Sequence, residues 1–167
     1  MNDRDRAMRS FDHLSFGILV VEPTAEEIEL AAAYEAQAQE LDLQLDSGES
    51  QLLAILVSRG CKLFLTGDKR AIVAIEEIVG HEFAHPPLAC LEQVVAAIMA
   101  ATNVAYMRSR VCAEPNADRA MSICFSCAAT AVSIEAAVEG LNSHINALRS
   151  RAARTLLASN DLSGLVA

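Results

Sequence analysis

The sequence predicts a helix-rich α/β protein, with a parallel-sheet core over residues 14–88, a helical segment over 89–158, and tails at 1–13 and 159–167. Three observations carry that expectation. Short apolar runs bounded by Gly or Pro, FGILVV at 16–21 and CKLFLT at 61–66, alternate with longer amphipathic stretches, the rhythm of βα units. After Leu88 only helical periodicity is visible. A chain of 167 residues with 53% apolar and 21% charged side chains can also bury a core of its own.

In order along the chain, residues 1–13 alternate acid and base with few apolar positions, as a tail or frayed helix does. Phe16 to Val21 is β-branched and apolar with Pro23 behind it, the pattern of a buried strand. Thr24 followed three residues later by Glu27 is capping-box spacing, so a helix is expected from Ala25 to about Leu41, whose Ile28, Ala31, Ala32, Glu35 and Ala38 positions leave only a thin apolar face. The carboxylates between Glu22 and Glu49, with no Lys or Arg among them, read as a solvated face. Asp46 and Ser47 can each cap a second helix, from about Gly48 to Arg59, and Gly60 stops it. Cys61 to Thr66 then reads as a buried strand of a parallel sheet, and a third helix runs from Lys69 to Val79 up to Gly80.

The remainder predicts three helices. Ala89 to about Arg110 carries an amphipathic face of Leu91, Val94, Val95, Ile98 and Met99, and a loop with Pro115 follows. Ala120, Cys124, Cys127, Ala131, Ile134, Val138 and Leu141 are spaced alternately four and three apart, a packing or self-association seam along one helix. A last stripe of Leu141, Ile145, Leu148, Ala152 and Leu156 ends near Arg149, Arg151 and Arg154, which suit a helix carboxyl end.

Charge and composition narrow the partners. A formal net charge of −9 argues against a broad basic surface for duplex DNA. With no charged-then-apolar leader and no apolar stretch of about 20 residues, a cytoplasmic location without a membrane anchor is expected. Five cysteines without a secreted-scaffold spacing suggest reduced thiols, with Cys124 and Cys127 buried and free despite their CxxC spacing. HEFAH at 81–85 matches the HExxH zinc pattern, but Gly80, Pro86 and Pro87 forbid the helix that would align His81 with His85, so no zinc is expected there.

The candidate chemistry lies at 45–79. Glu49 stands at the start of one helix and Asp68 just past the carboxyl end of the following strand, and open α/β sheets bind ligands at that edge. Two carboxylates there repel unless a cation lies between them, and Mg²⁺ or Mn²⁺ suits hard oxygen donors. The alternative is ordinary capping chemistry by Asp46 and Asp68.

LDSGESQLLAI followed by LFLTGDKRAI resembles the second half of the PIN-domain family, metal-dependent ribonucleases that include many bacterial toxins. The resemblance covers about residues 16–90 and makes the core a PIN-like one. It implies that Glu49 and Asp68 are the third and fourth of the family's four acidic positions, catalytic and metal-bearing, with Asp46 as a further metal-site helper. The first strand with its Asp and the next helix with its Glu would lie upstream, and Met1 comes too late for them. The resemblance therefore implies a relative of Mg²⁺- or Mn²⁺-dependent endoribonucleases, with RNA as substrate, weak or inactive as this chain alone. The alternative is a non-catalytic module on a PIN-like remnant, acting through its C-terminal helices as a homo-oligomer or with a protein partner.

Overall fold

The computed structural model of the chain describes residues 20–158 and residue 162. The expected tail 1–13, the expected tail 159–167 apart from Leu162, and most of the expected strand Phe16 to Val21 lie outside them; Leu162 is buried, and Val20 and Val21 are exposed and belong to no strand.

Local caps set the first two helices. Helix α1, Ala25–Glu40, opens with the expected capping box: Glu27 N–H donates to Thr24 Oγ1 at 3.2 Å, and Thr24 N–H donates to Glu27 Oε2 at 2.7 Å. Helix α2, Ser47–Arg59, starts at Asp46, whose Oδ1 accepts from the amides of Gly48 and Glu49. It ends at Gly60, whose φ of 59° lets Cys61 N–H turn back to Leu56 O at 3.0 Å. The start of α1 meets the end of α2, and Glu35 Oε1 accepts from Ser50 Oγ further along, so the two helices form an antiparallel hairpin. The face α1 buries is Ala31, Tyr34 and Ala38; Ile28, expected inside, is 51% exposed because it lies off that stripe.

The sheet consists of β1, Phe64–Thr66, and β2, Leu88–Cys90, paired parallel with Phe64 opposite Leu88 and Thr66 opposite Cys90. Helix α3, Lys69–Val79, makes the crossover between them, with Ile72, Ile75, Ile78 and Val79 fully buried. Regular pairing covers only half of Cys61 to Thr66, and Leu65 is half-exposed, so β1 is not covered on both faces. A strand after Leu88 was not expected, because three residues after a Pro-Pro pair are too few to show a period. On its far side Leu88 forms a parallel bridge with Leu156: Leu88 N–H donates to Thr155 O, and Leu157 N–H to Leu88 O.

The C-terminal segment breaks where the sequence reading ran it on. Helix α4, Leu91–Ala101, stops at Thr102, and Asn103 caps α5, Val104–Val111, by accepting from Tyr106 N–H at 2.8 Å. The expected single helix from Ala89 to Arg110 is thus two. The seam helix is also two: α6, Arg119–Cys124, ends at Phe125, Ser126 takes φ 47°, and Ser133 caps α7, Ile134–Arg149. Spacing alone cannot register a left-handed serine. Of the seam residues, Cys124 and Leu141 are buried, whereas Ile134 is 50% and Val138 38% exposed. Cys127 is not a free thiol, because it forms a disulfide with Cys112 across 5.2 Å between Cα atoms; Cys61, Cys90 and Cys124 are free.

Two apolar clusters result, and α7 spans them. Ile145 and Leu148 join α1–α3, β1 and β2, together with Ala152 and Leu156 beyond the helix end, while Ala137 and Leu141 join Val95, Met99, Met107, Met121 and Phe125. A charged lock closes the first cluster. Glu76 on α3 is 5% exposed and accepts from Arg154 Nε at 2.8 Å, Thr155 N–H at 2.9 Å and Thr155 Oγ1 at 2.8 Å. Arg154 therefore serves Glu76 rather than the dipole of α7. Among the described residues no helix is long and apolar enough to cross a membrane.

Candidate functional site

Two helix starts and one strand end build the carboxyl edge of β1. Thr66 Oγ1 accepts from Asp68 N–H at 3.0 Å and turns the chain out of the strand, and Asp68 then caps α3 by accepting from Arg70 N–H at 2.7 Å. Asp46, at the start of α2, comes in beside it. Asp46, Glu49 and Asp68 all line one cavity of about 370 Å³, with Leu43, Gln44, Leu45 and Arg70.

The three carboxyls differ electrostatically. Glu49 is pushed above the usual carboxylate range, first by partial burial and then by its hydrogen bond to Asp46 and the negative charge of Asp46 and Asp68. Asp46 is held below that range by the Glu49 amide, by its hydrogen bond with the Glu49 side chain and by the Gly48 amide. Asp68 is held low chiefly by the Arg70 side chain. Arg70 Nε donates to Asp68 Oδ1 at 3.1 Å and Nη2 to Oδ2 at 2.6 Å, while Nη1 donates to Gln44 Oε1 at 2.6 Å.

The fit to a divalent ion divides between chemistry and arrangement. Three hard-oxygen carboxylates suit Mg²⁺ or Mn²⁺. Their placement does not: both oxygens of Asp68 face the Arg70 fork, Asp46 Oδ1 is committed to two amides, and among the described residues no three His, Cys, Asp or Glu side chains converge into a metal-holding group.

Sequence reasoning missed a fourth carboxylate at this edge. Because Thr66 is opposite Cys90, the starts of α3 and α4 are neighbours, and Glu92, with its side chain 2% exposed, pairs with the Lys69 ammonium. The signal would have been β2 itself, since recognising that strand puts Glu92 just past its carboxyl end. The run of carboxylates before Glu49 is likewise not wholly solvated: Glu27 is 3% exposed and its two oxygens accept from Arg59 Nε at 2.7 Å and Nη2 at 2.6 Å. That pairing, with the Thr24 amide, holds the Glu27 carboxyl down to about 2.

HEFAH forms no helix; His81 and His85 are exposed in the turns between α3 and β2. His85 borders a cavity of about 590 Å³ with Leu56, Phe83, Pro86, Pro87 and Leu157, on the amino side of the strands and away from the carboxylates.

No protein-family model, curated protein or solved structure matches this chain.

Proposed function

We propose that the chain is a PIN-like relative of metal-dependent endoribonucleases, with its site at the carboxyl edge of β1 and little activity on its own. The observation that carries this reading is the gathering of Asp46, Glu49 and Asp68 around one cavity at that edge, supported by the helix, strand, turn, helix order that leads to it. RNA phosphodiesters are the substrate class, and Mg²⁺ or Mn²⁺ is the cofactor such hydrolysis uses to activate water and steady the leaving oxygen. Glu49 and Asp68 are the residues assigned to it, with Asp46 as helper. The low activity follows from the arrangement, because Asp68 is already engaged by Arg70 and Asp46 by backbone amides. Incubating a mixed RNA pool with the purified chain and Mn²⁺ tests this. Slow cleavage that Asp68→Asn abolishes is expected; cleavage indifferent to that change, or none at any Mn²⁺ concentration, would contradict the reading.

A second reading, a non-catalytic interaction module, draws on a different observation. Ile134 and Val138 on α7 are half-exposed around a cavity of about 300 Å³ lined also by Ala96, Met99 and Leu141, and Ile98 on α4 is 41% exposed. A monomer by sedimentation, unchanged by Ile134→Asp, would remove self-association from that reading.

A further inference from the structure

The break between α6 and α7 is not written in the residues that make it. The alternating four-and-three spacing from Ala120 to Leu141 runs straight through it, and residues 125–133 contain neither Gly nor Pro. Helix α6 nevertheless ends in a hydrogen-bond pattern that usually places a glycine at its turn. Ser126 N–H donates to Ile123 O and Cys127 N–H to Ser122 O, both at 3.0 Å, with Ser126 itself at φ 47°. A serine is strained there where a glycine would not be. What holds the turn comes from α5. Cys112, just past the end of that helix, is joined to Cys127, and Arg108 one turn earlier donates to the carbonyls of Phe125, Ser126 and Ala129. All three are oxygens that a helix running on from α6 into α7 would use for its own bonds.

We propose that the Cys112–Cys127 disulfide is a redox switch for this break. Closed, it keeps residues 125–133 out of helix and seats Cys124 on Gly140; opened, it lets the segment wind up and join α6 to α7. The two states exclude each other. Cys124 and Gly140 meet only because the chain doubles back, and on one continuous helix they would be about 24 Å apart. Joining the helices therefore lifts Met121, Cys124 and Phe125 off the second cluster. With the crosslink closed the bent state wins, because Cys127 cannot leave Cys112. With it open, only Arg108 and that short apolar face oppose helix formation through a segment that carries Ala128, Ala129 and Ala131. The crosslink is also reachable, since Cys112 and Cys127 are partly exposed, whereas Cys124 is 4% exposed. A small dithiol supplies the two electrons: the S–S bond breaks, Cys112 and Cys127 each end as a thiol, and the two sulfurs of the reductant join as a disulfide. A small disulfide oxidant reverses the exchange. The carboxyl edge of β1 lies outside this device, because β1, α2 and α3 pack in the first cluster.

The test compares the full chain oxidised and after reduction with dithiothreitol. It reads the Cα chemical shifts of residues 125–133 and the alkylation of Cys124 by iodoacetamide, mapped by mass spectrometry. Reduction is expected to move those shifts to helical values and to speed the alkylation of Cys124 about tenfold or more. Cys127→Ser, which cannot close the crosslink, is expected to show the same without reductant. Ser126→Gly favours the left-handed turn, so after reduction it is expected to keep more of the break than the wild type. Shifts in 125–133 that stay non-helical after reduction, or a loss of helix there and in α6 together, overturn the switch and make the disulfide a structural brace. A reduced Ser126→Gly chain that joins its helices as fully as the wild type overturns it too. Unchanged shifts in α2 and α3 show that the rest of the fold stands; their collapse in both the reduced wild type and Cys127→Ser counts against the switch in the same way.

Discussion

The two apolar clusters are held in different ways. The first, around α1–α3 and the strand pair, is closed by charged side chains that reach across the fold: Glu27 to Arg59, and Glu76 to Arg154 and Thr155. The second, around α4–α7, is tied by the Cys112–Cys127 disulfide and by Arg108, which donates to the carbonyls of Phe125 and Ala129. Gly140 lets α7 pass close to α6, since a Cβ there would lie 3.2 Å from Cys124 Cα. The first cluster thus specifies its arrangement through buried carboxylates held by partly exposed arginines, and removing a partner leaves a buried acceptor or donor unpaired. The second depends on a covalent link whose state follows the redox conditions. The candidate site belongs to the first, so its geometry should survive changes that loosen the second.

The largest expected effect is on the first cluster. Glu76→Ala removes the acceptor for Arg154 and strands the buried Thr155 hydroxyl, costing about 3–5 kcal/mol in urea unfolding. A loss under about 1 kcal/mol would mean that the lock is not structural. Reducing the disulfide comes next. Its cysteines are 15 residues apart, and opening such a loop costs about 3 kcal/mol on a chain-entropy account. Hydrogen exchange should then accelerate in α5 and α6 and leave α2 and α3 protected. Uniform acceleration would show that the clusters unfold as one.

The smallest effects are on pH dependence, and they separate a structural carboxylate from a site carboxylate. Glu27 is held down to about 2 from its ordinary 4.5 by Arg59. Its contribution is therefore present above pH 4.5 and lost as the pH falls toward about 2. Glu27→Gln should flatten acid unfolding in that window. Glu49 has the opposite sign: partial burial and the nearby Asp46 and Asp68 raise it, so its contribution is present at low pH and lost as the pH rises through its folded value. Glu49→Gln should accordingly stabilise the chain at neutral pH. A destabilised Glu49→Gln would place Glu49 among the structural carboxylates.

The parts legible in the sequence are those fixed locally. Thr24 with Glu27, Asp46 before Ser47, Gly60 and Asp68 each act within a few residues, and each starts or ends an element where the residue pattern puts it. The meeting of Asp46, Glu49 and Asp68 around one cavity was legible too, because Asp46 and Asp68 are such caps and Glu49 lies in the first turn that Asp46 starts. The rest depends on contacts between distant residues. Whether Glu27 is solvated is decided by Arg59, 32 residues away, and Arg154 is claimed by Glu76, 78 residues away. The pairing of Cys112 with Cys127 leaves no trace in cysteine number, and the four-and-three spacing from Ala120 to Leu141 continues through a left-handed Ser126 that ends the helical path. Glu92 was hidden for the same reason as β2, since a three-residue strand is defined by its partners.

The central claim, that the functional site is the carboxyl edge of β1 where Asp46, Glu49 and Asp68 share one cavity, is tested most directly by where Mn²⁺ acts on the folded chain. Paramagnetic broadening of amide resonances on adding Mn²⁺ should centre on Gly48, Glu49, Asp68 and Lys69, and should be much weaker at equal Mn²⁺ in Asp68→Asn. Broadening centred instead on the exposed carboxylates Glu26 and Glu29 of α1, or equal in the two proteins, would contradict the account.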